Sequence, residues 1–216
     1  MASRRYFAAG ISHARSNMIF GGSLNAEFHG YGSGTSLSST EIITEQGVSA
    51  GPEMPEAVRF HAIAGMNETT SIITGGITSA NSANNPSPLT WFFNHVSQQF
   101  QAGPSLITGR WNHASATIQD HQTNEHIVVV FGGATNNGEE VPALDSTELL
   151  INGETEWQQG TGPSLNTQSC IKGLLVVWDY FFWAVWAAGP VMKKKLGANN
   201  KQLMRAVFFM FWGETL

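Results

Sequence analysis

Apolar positions along this chain come in short β-branched and aromatic runs that stop at a pair of glycines. Met18-Ile19-Phe20 runs into Gly21-Gly22, Ser71-Ile72-Ile73-Thr74 into Gly75-Gly76, and Ile127-Val128-Val129-Val130-Phe131 into Gly132-Gly133. The doublets lie 54 and 57 residues apart. Runs this short, bounded by turn residues, predict strands. A period of roughly 50 residues that includes a strand and a Gly pair predicts a propeller blade rather than a helical repeat.

The third repeat shows the plan of one unit. Trp111 to Ile118 alternates small, polar and apolar residues and predicts a strand, and the polar stretch Asp120 to His126 predicts a hairpin loop. Ile127 to Phe131 is apolar throughout, as expected of a strand buried on both faces. Gly132-Gly133 then ends it, because two glycines accept positive φ and let neighbouring backbones approach closely. A polar loop over 134–144 leads to a strand at Thr147 to Ile151. Asn152-Gly153 is a strong signal for a two-residue type I′ hairpin. Glu154 to Gln158 is expected to return as the outer strand, with Trp157 packed between units. In the second repeat a Ser/Asn/Pro loop spans 81–88, Leu89 to Phe93 is the next strand, and Asn67-Glu68-Thr69 lies where the first hairpin turns.

Further elements recur in the same order. Gly51-Pro52, Gly103-Pro104 and Gly162-Pro163 follow the three doublets. Ser39-Thr40-Glu41-Ile42-Ile43 returns as Ser146-Thr147-Glu148-Leu149-Leu150. Trp157 lies 24 residues after Gly133, and Phe100 lies 24 after Gly76. Arg59-Phe60-His61 and Arg110-Trp111-Asn112-His113 open the second and third units. The order resembles the kelch repeat. The resemblance implies an all-β chain, a β-propeller of four-stranded blades that has four blades or is an incomplete propeller. The units are expected at about 1–53, 54–105, 106–164 and 165–216. The fourth is degenerate: Ala188-Gly189 falls 56 residues after Gly132-Gly133, Phe181 to Trp186 precedes it, and Trp212 follows 23 residues later. Gly21, Gly22, Gly75, Gly76, Gly132, Gly133 and Trp157 are read as structural.

Composition narrows the function class. Among 216 residues there are 23 Gly, 42% are hydrophobic and only 12% charged, which suits tight turns and buried strands better than disorder. The 11 Lys and Arg form no basic stripe and the net charge is −5, which argues against nucleic-acid binding. The single Cys170 excludes an internal disulfide. Residues 1–16 carry Arg4 and Arg5 but no adequate apolar stretch for a signal peptide, so a cytoplasmic chain is slightly favoured over a secreted or anchored one.

Catalytic and metal chemistry is hard to find. His61 and His113 occupy a repeated position, which suggests structural use. His121 and His126 are five apart with no Cys pair, and His13, His29 and His95 have no partner in sequence, so neither a metal nor another cofactor is expected. Glu139-Glu140 is read as a solvated loop charge. Kelch-type propellers include a copper-radical galactose oxidase, but its Cys–Tyr crosslink has no counterpart motif around Cys170, Tyr6, Tyr31 or Tyr180. Asn67-Glu68-Thr69 fits an N-glycosylation sequon, with a polar hairpin tip as the favoured reading.

The resemblance therefore implies a non-catalytic protein-binding scaffold. Arg59 and Arg110 are candidate binding residues, against a structural use in which each pairs with a neighbouring unit or a loop carboxylate. One alternative is a sugar-active or isomerising propeller enzyme, which would gather Arg, Glu and His in a central funnel. Another is a membrane-anchored ectodomain: residues 173–192 are long and apolar enough to span a bilayer and precede Lys193-Lys194-Lys195. Asp179 near its middle would cost about 3 kcal/mol there, which favours two strands at 174–178 and 181–187. An unclosed propeller would expose sheet edges to self-association.

Overall fold

A computed structural model describes residues 4–13, 16–24, 35–78, 85–120, 125–135 and 143–160. All belong to one unit, Met1–Trp186. The described chain is all-β, with no helix. Its strands are β1 (Ala9–His13), β2 (Ser16–Phe20), β3 (Thr40–Thr44), β4 (Gly47–Ala50), β5 (Val58–Arg59), β6 (Ala62–Gly65), β7 (Thr70–Thr74), β8 (Ile77–Thr78), β9 (Thr90–Asn94), β10 (Gln99–Ala102), β11 (Ala114–Asp120), β12 (Glu125–Phe131), β13 (Thr147–Ile151) and β14 (Gln158–Gln159). They form three four-stranded antiparallel sheets, ordered β1-β2-β3-β4, β6-β7-β9-β10 and β11-β12-β13-β14. Each sheet is a meander, and β5 pairs with β8 in a short ribbon beside the second.

The register shows how the sheets stack. Met18 pairs with Ile42 on one face of the first sheet, and Ile73 with Trp91 on one face of the second. Met18 and Phe20 pack with Ile73, Phe93 and Phe100 in one apolar cluster. On the other face of the second sheet, Ala64 and Ile72 pack with Val128, Val130, Leu150 and Trp157 of the third. Aligning the three sheets on Phe20, Thr74 and Phe131, which immediately precede the doublets, makes Met18 and Ile72 equivalent, and likewise Ile73 and Val130. The same face of each sheet thus meets the opposite face of its successor, and two seams of one kind result. Trp157 closes the second seam, donating its indole N–H to the Pro104 carbonyl at 2.9 Å.

Turn chemistry sets the hairpins. Asn152 (φ 49°) and Gly153 (φ 71°) both take positive φ, as a type I′ turn requires. Asn152 Oδ1 also accepts the His126 N–H at 2.8 Å. The outer strand is shorter than the sequence suggests. Glu154 to Glu156 stay outside it, and only Gln158 and Gln159 pair with β13.

One equivalence drawn from sequence shifts. Gly51, Gly103 and Gly160 each donate a backbone N–H, at 3.0, 3.0 and 2.9 Å, to the carbonyl of Thr40, Thr90 and Thr147. A Cβ at any of the three would collide with that threonine's Oγ1. Gly160, with no following proline, is therefore the third counterpart of Gly51 and Gly103. Gly162-Pro163, the tail at 173–192 and the expected fourth unit lie outside the described residues.

Candidate interaction face

The doublets all sit at one end of the sheets, where the chain leaves β2, β7 and β12. Their φ values are 54° and 101° at Gly21-Gly22, 59° and 95° at Gly75-Gly76, and 67° and 86° at Gly132-Gly133. Contacts explain the pairing. The second glycine donates to the following unit: Gly22 N–H to Val58 O and Gly76 N–H to Arg110 O, both 2.8 Å. The first glycine makes room for that unit's histidine. A Cβ on Gly21 would sit 3.1 Å from His61 Cε1, and one on Gly75 2.8 Å from His113 Cε1. Doublet and histidine are two halves of one joint between units.

Both histidines are buried and held neutral. Burial pushes the His61 imidazole down to about 4, and the Phe20 carbonyl opposes the shift without bringing either ring nitrogen into hydrogen-bond geometry. His113 is pushed down to about 3, first by burial and then by the Arg110 and His61 charges. Its Nε2 lies 2.9 Å from Thr74 Oγ1.

The recurrent Ser-Thr-Glu is the partner of an arginine. Arg110 and Glu148 form an ion pair of 2.5 Å with no exposed side-chain surface. Arg110 also donates to the carbonyls of Gly132 (2.9 Å) and Ser146 (3.2 Å), and Glu148 accepts the N–H groups of Ile107 (2.7 Å) and Thr108 (3.0 Å). Arg5 repeats this in the first unit, 2.7 Å from Glu41 and bonded to the carbonyls of Gly21 and Ser39. The second unit has Val58 and Trp91 at the corresponding places and lacks both charges. They line a cavity of about 10 Å³ beside Gly75.

This corrects the alignment of the two candidate arginines. Phe7, Phe60 and Asn112 share a positive φ of 54–56°, and Phe60 N–H donates to Phe7 O (3.0 Å) as Asn112 N–H does to Phe60 O (2.9 Å). Arg59 is therefore equivalent to Trp111, and Arg110 to Val58. Arg110 is wholly buried in its own unit, a structural placement. Arg59 is 4% exposed, its pKa lowered by burial, and reaches Ser36 Oγ of the first unit at 2.8 Å.

Around these joints the same end carries an aromatic row. Phe7 stacks on Phe60 with centroids 4.0 Å apart, and Phe60 meets Trp111 edge-on at 5.4 Å. Tyr6, Leu24, Leu89 and Ile107, all beside the doublets, are exposed by 42–54%. At the opposite end His13 and His95 stack 4.0 Å apart across the first seam. His95 is pushed down to about 4 by burial and then by His13, and its Nε2 is 2.7 Å from Ser71 Oγ. Parallel ring planes aim no two nitrogens at one point, and no three potential metal ligands converge among the described residues. His29, His121, Glu139 and Glu140 lie outside those residues.

The Arg–Glu pairing was missed in sequence although its signal was there: units with Ser-Thr-Glu have an arginine 36–38 residues earlier, and the unit without the glutamate has Val58 at that place. The His13–His95 stack has no such local signal, because the two residues are 82 positions apart. No protein-family model matches this chain, and no curated protein matches it.

Proposed function

We propose that the chain is a kelch-like β-propeller, or a portion of one, that binds another protein through its doublet-bearing end and catalyses no reaction. The repeat order and the head-to-tail stacking of meander sheets support the fold. One observation carries the binding reading: among the described residues, four of the six exposed large hydrophobics, Tyr6, Leu24, Leu89 and Ile107, lie at the doublet-bearing end, and Val48 and Val96 lie away from it. Apolar exposure grouped on one face marks interaction sites, and loops held by a rigid scaffold commonly carry function. Arg5 with Glu41 and Arg110 with Glu148 spend their charges on each other, which supports a scaffold over an enzyme with a charged funnel.

The test is site-specific photo-crosslinking of the full chain in cells of its source. A photoreactive residue at Tyr6 or Leu24 is expected to capture one discrete partner. The same residue at Val96, 77% exposed at the opposite end, is expected to capture none. Equal capture from both ends, or capture from Val96 alone, rejects the face.

A further inference from the structure

We propose that Asn67 is an N-glycan acceptor, and that its glycan covers the short-turn end of the second and third sheets. This stands apart from the binding reading. Asn67-Glu68-Thr69 is the chain's one sequon, since Pro86 disqualifies Asn85-Pro86-Ser87. The three residues are exposed at the tip of the hairpin joining β6 to β7. The backbone closes beneath them through Met66 N–H and Asn67 N–H, which donate to Thr70 O at 2.8 and 3.1 Å.

The Asn67 side chain is oriented by its own turn. Oδ1 accepts from Thr69 N–H (2.9 Å), Thr70 N–H (2.9 Å) and Thr69 Oγ1 (3.2 Å). With the carbonyl oxygen committed inward, Nδ2 is the atom turned from the turn. Beside it runs a groove of about 400 Å³, lined by Met66, Thr70, Phe92, Phe100 and Asn152. Its lining joins aromatic carbon to neutral amides and hydroxyls, a chemistry that suits the faces and hydroxyls of a first sugar.

The chemistry is a glycosyl transfer from a lipid-linked oligosaccharide. Nδ2 attacks the anomeric carbon, a C–N bond forms, the C–O bond to the lipid pyrophosphate breaks, and Nδ2 gives up one proton. No electron is gained or lost. The hairpin tip lies at the opposite end from the doublets, so a glycan here would leave the aromatic row open and bar partners from the other end.

The experiment directs the full chain into the secretory pathway of a eukaryotic host with a cleavable leader, and examines chain from both cells and medium. A slower-migrating form is expected. Peptide amidase treatment should collapse it, and mass spectrometry should place the resulting Asn-to-Asp conversion at position 67. Asn67→Gln and Thr69→Ala should abolish the shift, and Thr69→Ser should retain it. Melting curves before and after glycan removal should superimpose. Lumenal chain unmodified at Asn67, a shift that survives Thr69→Ala, or a glycosylated form without a cooperative melt would each overturn the proposal.

Discussion

Gly133 and Glu148 show how little freedom single side chains have here. At Gly133 the backbone holds φ at 86°, and a Cβ would lie 2.7 Å from Trp111 O and 2.8 Å from His113 Cβ. Gly133→Val is expected to cost at least about 1 kcal/mol from backbone conformation alone, with the collision adding to it. Urea denaturation measures this, and an unchanged midpoint would contradict the close packing of Gly133 against Trp111 and His113. Glu148 differs because its loss strands a neighbour. Glu148→Ala leaves Arg110 charged, fully buried and without its carboxylate, and removes the acceptor for two backbone N–H groups. Breaking a buried pair in this way costs about 3–5 kcal/mol. Arg110→Met with Glu148→Leu is expected to recover part of that, since apolar replacement of both partners can be close to neutral.

The second unit contains the natural version of that double change. Val58 and Trp91 replace arginine and glutamate, and a small cavity remains beside them. Val58→Arg alone or Trp91→Glu alone should each destabilise by burying an unpaired charge. Together they recreate the geometry of the other two sheets, apart from the Ser146 hydroxyl, which Leu89 lacks. A double-mutant cycle by chemical denaturation is expected to give a favourable coupling of about 1 kcal/mol or more; additive losses would mean that the positions are not equivalent. Strands, turns and doublets were readable because each rests on local chemistry: β-branched runs, Asn152-Gly153, and glycine at positive φ. The arginine register was not, because Arg59-Phe60-His61 and Arg110-Trp111-Asn112-His113 differ by one residue and side-chain identity alone favours the wrong match. The outer strand was over-extended because nothing local marks where pairing with β13 stops. At the candidate face, sequence named Arg59 and Arg110, whereas the exposed Tyr6, Leu24, Leu89 and Ile107 emerge only when three units bring their ends together.

The seams between sheets couple the three described sheets to pH. His61 lies in the first seam and His113 in the second, each neutral and buried, and His95 stacks on His13 across the first seam at the other end. In the unfolded chain these groups titrate near 6.5, whereas folded they titrate at about 4, 3 and 4. Between those limits the unfolded state binds more protons, so stability rises with pH. The stabilisation from neutral histidine is fully present above about pH 6.5 and declines as pH falls towards 4. With two fully buried histidines the slope should approach about 3 kcal/mol per pH unit near pH 5. Urea denaturation at a series of pH values measures it. His61→Gln keeps a polar side chain at the joint but cannot take up a proton in this range, so it should lower the slope by about one proton's worth while leaving His113 and the less buried His95 to supply the rest. Parallel curves for the variant and the unaltered chain would mean that acid acts elsewhere. Because both histidines fill spaces left by Gly21 and Gly75, protonating either places a charge where units meet, and acid is expected to separate the sheets before it melts the meanders themselves. Hydrogen exchange at pH 4.5 provides the check: the N–H groups of Gly22 and Gly76, which bridge units, should lose protection before those of Ile72 and Val130 inside the sheets.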